Sequence, residues 1–371
     1  MKNKKSEKII IIGGGVCGLS CGLELAKLGY DTDIYEKNKI GTGATNKSGG
    51  MLAGGIENEP SEQNLWELNA YSQSLWTDYK KSLEADSKID IDYQDHGTMM
   101  VGTTADDMNQ IEFLYNYQQS IGVNTEMLSA RDITKIEPHL KTTGGMIVKS
   151  DHQVDSIKLT FALATAFTKL GGNVFEGTEI KKIIHDGTTA TGIELNDGTI
   201  KTADKILIAS GIDTPELLKD IIQIPIRPLK GQMLSLNMNT RLIDRVIWAP
   251  KTYLIPKSDN TLLIGATVEE QGLNNDITAG GIYSLLESAW RVLPSIEDLP
   301  IKDMWVGFRP TARDDAPILG KLPVNGLYMA SGHHRNGILL APATGKIMAQ
   351  VIDTDTNPDI INNFTIDRFS K

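Results

Sequence analysis

Ile9-Ile10-Ile11-Ile12-Gly13-Gly14-Gly15-Val16-Cys17-Gly18 stands near the start of a 371-residue chain, and its reading decides the fold. Four isoleucines running into glycines predict a buried strand over 8–12 that enters a tight turn. A helix is expected over 16–29 and a second strand over Thr32–Tyr35, which makes a β-α-β opening. The glycines fit G-x-G-x-x-G for mechanical reasons: Gly13 turns the chain, Gly15 lets backbone approach a pyrophosphate, and Gly18 allows helix and strand to pack closely. Gly14 and Cys17 belong to the same turn, where the helix start presents free N–H groups and a positive dipole end to phosphates. Glu36 closes the second strand, where a carboxylate can accept hydrogen bonds from ribose hydroxyls. Lys37 beside it is a further candidate cofactor contact, and the alternative for Glu36 is a solvated charge at a strand end. The opening therefore predicts a dinucleotide site and leaves NAD and FAD both open.

Outward from this core, Gly41-Thr42-Gly43-Ala44-Thr45-Asn46-Lys47-Ser48-Gly49-Gly50-Met51 forms a second loop rich in glycine and hydroxyls. Gly43, Ala44, Thr45, Ser48, Gly49, Gly50 and Met51 are its candidate cofactor contacts. Such a loop suits a further stretch of extended cofactor, which a nicotinamide dehydrogenase has less need of; the alternative is an ordinary flexible connection.

The rest of the chain bounds the class. An apolar content of 40% allows a sizeable core and favours two intertwined domains. A net charge of −10 makes nucleic acid and anionic membrane surfaces poor partners. Cys17 and Cys21 lie in the expected helix and read as small packing groups, neither a disulfide framework nor a C-x-x-C site. The basic start at Lys2, Lys4 and Lys5 precedes an apolar run too short for a signal peptide, and no run approaches the roughly 20 residues of a membrane span. A cytoplasmic enzyme is expected, with self-association left open.

Residues 61–85 read as an amphipathic helix, with further helices at 105–120, 156–170 and 279–292. Strands are expected around Ile91–Val101, Arg227–Leu236 and Ile247–Gly265, over Lys205–Ser210 running into Gly211, and over Gly326–Ser331 before a helix spanning Gly337–Ile352. The expected architecture is α/β, α+β overall: a Rossmann-type dinucleotide-binding domain from 1–88, 150–224 and 304–371, which the second glycine loop suits to FAD, and a mostly antiparallel substrate domain from 89–149 and 225–303.

Several segments carry a resemblance: the opening through Glu36, GTGATNKSGGML from Gly41, RPLKGQML (Arg227–Leu234), TYLIP and TLLIGAT within Thr252–Thr267, VGFRP (Val306–Pro310) and GHHRNGILLAPATG (Gly332–Gly345). Together they resemble the glycine oxidase and D-amino-acid oxidase-like FAD enzymes over nearly the whole chain, thiamine-biosynthetic glycine oxidases in particular. The resemblance implies noncovalent FAD, because Gly307 lies near the position where sarcosine oxidases of this superfamily can carry a flavin-linked cysteine. It implies oxidation of a small amino acid, glycine first, with dioxygen as acceptor. Arg309 then matches the arginine that holds the substrate carboxylate, Tyr253 a donor to the same group, and Arg335 a second arginine near the site. Ile180 matches a residue touching the adenosine end through its backbone. Gly211, Gly307, His333, His334, Arg335, Asn336, Gly337 and Ile338 are implied cofactor neighbours, with the helix from Gly337 aimed at the isoalloxazine. Val268 stands where a related glycine oxidase has methionine, Lys251 replaces a histidine and His334 an aromatic.

Amino-acid oxidation is first an orientation problem, since the Cα–H must point at flavin N5, and a planar guanidinium holds a carboxylate bidentately. A neutral amine can then drive hydride transfer without a side-chain base. Arg309 could instead be structural, paired with Asp303 or Asp314. His333 and His334 as neighbours point apart and make a poor metal site. The competing functions are a D-amino-acid dehydrogenase passing electrons to a quinone, a sarcosine or N-methyl amino acid oxidase, and an imine-delivering partner in thiazole synthesis.

Overall fold

A computed structural model describes residues 5–370, so Lys2 and Lys4 of the basic start lie outside the described residues. Lys8–Ile12 takes the middle of a six-stranded sheet in the order Ile318–Lys321, Leu327–Ser331, Lys205–Ile208, Lys8–Ile12, Asp31–Tyr35, Asn173–Phe175. All neighbours are parallel except the antiparallel edge strand Ile318–Lys321. A central parallel strand is covered on both faces, which is why it is apolar at successive positions rather than alternately. Ile9 and Ile11 pack with the helices Val16–Lys27, Gln63–Ser87, Ser156–Lys169 and Ala341–Thr354. Ile10 and Ile12 face the other way, toward Ile183, Ile193 and Leu195 of a three-stranded antiparallel sheet.

The second sheet has eight strands, in the order Ile301–Ala312, Ile226–Asn237, Thr261–Gly265, Thr252–Pro256, Val246–Ala249, Thr98–Gly102, Gly144–Val148, Thr125–Ser129. Only Val246–Ala249 with Thr98–Gly102 is parallel, so the sheet is mostly antiparallel, as expected. Helix Ala279–Val292 buries Leu285, Ala289 and Val292 against it. The long strand Ile301–Ala312 straddles the expected boundary at residue 304. It pairs with Ile226–Asn237 almost from end to end and brings Gly307 and Arg309 to the seam between the two sheets.

Three expectations are corrected. The first helix stops at Lys27, since Gly29 at φ 90° turns the chain out of it. The strand expected from Ile91 begins only at Thr98; Gln94 makes an isolated bridge to Gln153. The last helix begins at Ala341 rather than Gly337, with Pro342 in its first turn, where a missing N–H does no harm. Gly337–Leu340 form turns instead, so no helix terminus stands at Gly337 to face a flavin ring. Among the described residues no helix is long and apolar enough to cross a membrane.

Candidate active site

Two cavities meet at the seam. One, of about 540 Å³, runs along the carboxyl ends of the six-stranded sheet past Gly13, Gly15, Cys17, Glu36 and Lys37. It continues along Gly43, Ala44, Thr45, Ile180, Gly211, His333 and Gly337. The other, of about 580 Å³, is lined by Gly49, Gly50, Met51, Tyr253, Val268, Arg309 and Asn336. Ala44, Ser48, Gly307, His334, Arg335 and Ile338 border both, so the two cavities are continuous there. The structure thus brings the expected site residues to one elongated cleft, with two exceptions. Gly14 and Gly18 line neither cavity.

The glycine motif divides its work according to sterics. A Cβ on Gly13, whose φ is 110°, would lie 2.4 Å from the Ala209 carbonyl oxygen, and one on Gly18 would lie 2.0 Å from that of Gly13. These two are required by the protein itself. A Cβ on Gly15 would meet only Thr45 Oγ1, at 3.3 Å, and one on Gly43 would meet nothing within 4 Å. Those two positions are open toward the cleft, as a cradle for a pyrophosphate must be. The helix starting at Val16 has no acidic residue in its first turn, and its first N–H, that of Val16, donates to the neutral Thr45 Oγ1 at 3.1 Å, so the positive end of the dipole still favours an anion. Glu36 is held rather than freely solvated, accepting hydrogen bonds from Gly14 N at 2.8 Å and Asn38 N at 2.9 Å, while Lys37 pairs with Asp213. Cys17 and Cys21 are free thiols, and burial pushes Cys17 up to about 12, so it stays unreactive as a thiol. The cleft fits an extended dinucleotide.

In the second cavity, Arg309 donates to backbone oxygens, Thr267 O at 3.3 Å and Lys230 O at 3.5 Å. Neither carboxylate suggested as a structural partner holds it: Asp314 pairs with Arg368, and Asp303 accepts from Met304 N. Space for the guanidinium comes from Gly231 on the adjacent strand, where a Cβ would come within 2.8 Å of Arg309 Nη1. Tyr253 packs on Trp248 with ring centroids 5.3 Å apart. Burial pushes its phenol up, and the Arg309 charge only partly offsets this, so the hydroxyl remains a neutral donor. Arg335 differs from Arg309 in that its guanidinium is already matched, by Glu57 at 2.9 Å and by Glu62. Val268 is exposed at the cavity mouth and Lys251 lies on its rim. His333 bonds Thr344 Oγ1 and His334 bonds Thr311 Oγ1, each at 3.0 Å. Burial pushes His333 down to about 4; burial together with three nearby arginines pushes His334 down to about 3. Among the described residues no cluster of His, Cys, Asp and Glu could hold a metal.

Sequence reasoning missed Glu57, Glu62 and Trp248. Arg335, the partner of both glutamates, lies 278 and 273 positions away, and no local pattern announces it; Trp248 instead faces its near neighbour Tyr253 across a hairpin, a pairing that the strands expected over Ile247–Gly265 could have signalled.

The family model for FAD dependent oxidoreductases matches residues 8–351. The chain belongs to this family. This oxidoreductase is 32% identical over 351 residues to a glycine oxidase of Geobacillus kaustophilus (strain HTA426), covering 93% of this chain and 92% of that one. It is 30% identical to a bifunctional ThiO/ThiG protein of Trichormus variabilis, with 98% of this chain matched against 55% of that protein. The fold superposes on the crystal structure of a Geobacillus kaustophilus glycine oxidase with a TM-score of 0.91, covering 97% and 99% of the two chains at 30% identity. The enzyme is an FAD-dependent oxidoreductase of the glycine oxidase type. Gly307 at the junction of the cavities offers no thiol. Acid precipitation should therefore release intact FAD into the supernatant; flavin remaining on the pelleted polypeptide would contradict a noncovalent site.

Proposed function

We propose that the enzyme oxidises the Cα–N bond of a small amino acid, with glycine as the first substrate, to an imine that hydrolyses to glyoxylate and ammonia. The single observation carrying this reading is the Arg309 guanidinium, which lines the second cavity and has no carboxylate partner among the described residues. A bidentate contact there satisfies its charge, and the neutral Tyr253 hydroxyl donates to the same carboxylate. Val268 lies at the mouth of this pocket, and Arg335 stands where the pocket meets the cofactor cleft. Binding by Arg309 and Tyr253 sets the direction of the Cα–H bond. When bound in the adjoining cleft, FAD would supply the hydride acceptor and the route by which the two electrons reach dioxygen as peroxide. The test is aerobic turnover with glycine, in which one peroxide and one glyoxylate should form per glycine consumed. Formaldehyde from sarcosine with no reaction of glycine would favour an N-methyl amine oxidase instead. Substrate consumption that requires a quinone would favour a dehydrogenase.

Removing one donor should cost less than removing the clamp. Tyr253→Phe is expected to raise the glycine concentration for half-maximal flavin reduction, costing about 1–2 kcal/mol. Stopped-flow reduction measures it, and an unchanged value would remove Tyr253 from the carboxylate site.

No side-chain base is assigned. His333 and His334 are held neutral, so neither changes charge between about pH 6 and 9. The amine must itself be deprotonated to react, so flavin reduction should accelerate as pH rises toward the substrate's own amine pKa. Comparing substrates of different basicity checks this, because a midpoint that stays fixed would reveal an enzymic base.

A further inference from the structure

Lys257 follows the strand Thr252–Pro256, and its side chain is almost completely buried, at 7% exposure. Its ammonium donates to Gly49 O at 2.9 Å, Gln153 Oε1 at 3.0 Å and Val154 O at 2.8 Å. All three acceptors are neutral, so burying this cation is not repaid by a direct ion pair. Burial pushes Lys257 down to about 8, while Asp155, Asp92 and Asp259 favour its charged form and Lys158 opposes it. It is therefore a cation at neutral pH.

The position of that charge is what matters. Gly49 and Gly50 line the substrate cavity, and a Cβ on Gly50 would lie 3.3 Å from Lys257 Nζ. The ammonium thus stands directly against the backbone of two cavity-lining glycines. Ser48, the residue before them, borders both cavities, and a cofactor held along the first would meet a substrate in the second with its reactive ring at that junction. Hydride transfer delivers two electrons and one proton to that ring. Unless a second proton follows, the ring gains one negative charge, which a fixed cation behind the glycine wall would stabilise.

We propose that Lys257 is a positioning residue for the cofactor, holding Ser48–Gly50 against the ring and placing behind it a buried positive charge that favours the reduced state. A unit charge roughly 10 Å away in a protein interior shifts such an equilibrium on the order of tenfold. The inference does not depend on which amine is oxidised, since the potential is measured without substrate.

The test is the two-electron midpoint potential of the FAD-loaded enzyme, determined by photoreduction against a reference dye, with FAD affinity measured alongside. Lys257→Gln keeps a hydrogen-bond donor and removes the charge. It should retain FAD and shift the reduction equilibrium about tenfold toward the oxidised state, which for a two-electron couple is about 30 mV. Lys257→Arg should keep the wild-type potential. If Lys257→Gln binds FAD at an unchanged potential, the lysine is a loop tether only and the proposal fails. It fails equally if both variants lose the same potential, because the charge would then not be the cause.

Discussion

Arg309→Lys should lower the second-order rate constant for flavin reduction by glycine about 30-fold to 1,000-fold, a loss on the order of 2–4 kcal/mol. Lysine keeps the charge but loses the planar fork, so a carboxylate held by two parallel N–H bonds would be held by one. The structure supports a large effect for two reasons. Among the described residues no carboxylate is paired with Arg309, whose hydrogen bonds go to the backbone oxygens of Thr267 and Lys230. Gly231 leaves room for the side chain, and the strand that carries it together with the two backbone oxygens places the guanidinium before any substrate arrives. FAD content and thermal stability should change little. A variant that unfolds or sheds flavin, while its remaining folded fraction reduces at the normal rate, would make Arg309 structural.

The second large effect is expected at Gly15. Gly15→Val should give a folded protein that binds FAD at least about 100-fold more weakly, which corresponds to about 2.7 kcal/mol. Gly15 has φ −77° and ψ 177°, an extended conformation that valine adopts without strain. Its Cβ would face the cofactor cleft and touch only Thr45, so the branched side chain would fill space that the pyrophosphate needs. Gly18→Ala is the control with the opposite signature, because its Cβ would collide with the Gly13 carbonyl and damage the fold itself. Circular dichroism and FAD titration separate the two. Normal FAD affinity in Gly15→Val would place the phosphates elsewhere.

These two residues show what could be read from sequence. The β-α-β opening was legible because its causes are local: burial on both faces makes Ile9–Ile12 continuously apolar, and backbone clearance demands glycine at 13 and 18. The antiparallel sheet was visible as Arg227–Leu236 and Ile247–Gly265, yet Thr125–Ser129 and Gly144–Val148 were missed, the first because it is a largely exposed edge strand with weak patterning. The start of the last helix was misplaced because Gly337–Leu340 is apolar in the same way as the helix that follows; Pro342 was the better signal. Arg309 was picked out through its motif, but its lack of a carboxylate partner is a fact of three dimensions. Arg335 shows the converse, since nothing near it in sequence announces Glu57, 278 positions away. Lys257 was equally silent, because its three acceptors come from segments more than 100 residues distant.

The claim on which the rest depends is that this cleft binds an amino acid by its carboxylate and delivers its Cα hydrogen to FAD. Anaerobic mixing of the FAD-loaded enzyme with glycine, and separately with glycinamide, tests it most directly. The amide keeps the amine and the Cα–H bonds but has no carboxylate for Arg309. Glycine should bleach the flavin absorbance fully, with one glyoxylate per FAD, and glycinamide should reduce it at least about 100-fold more slowly. Equal rates with the two, or a flavin left oxidised by glycine and other small amino acids but bleached by a 2-hydroxy acid, would contradict the account.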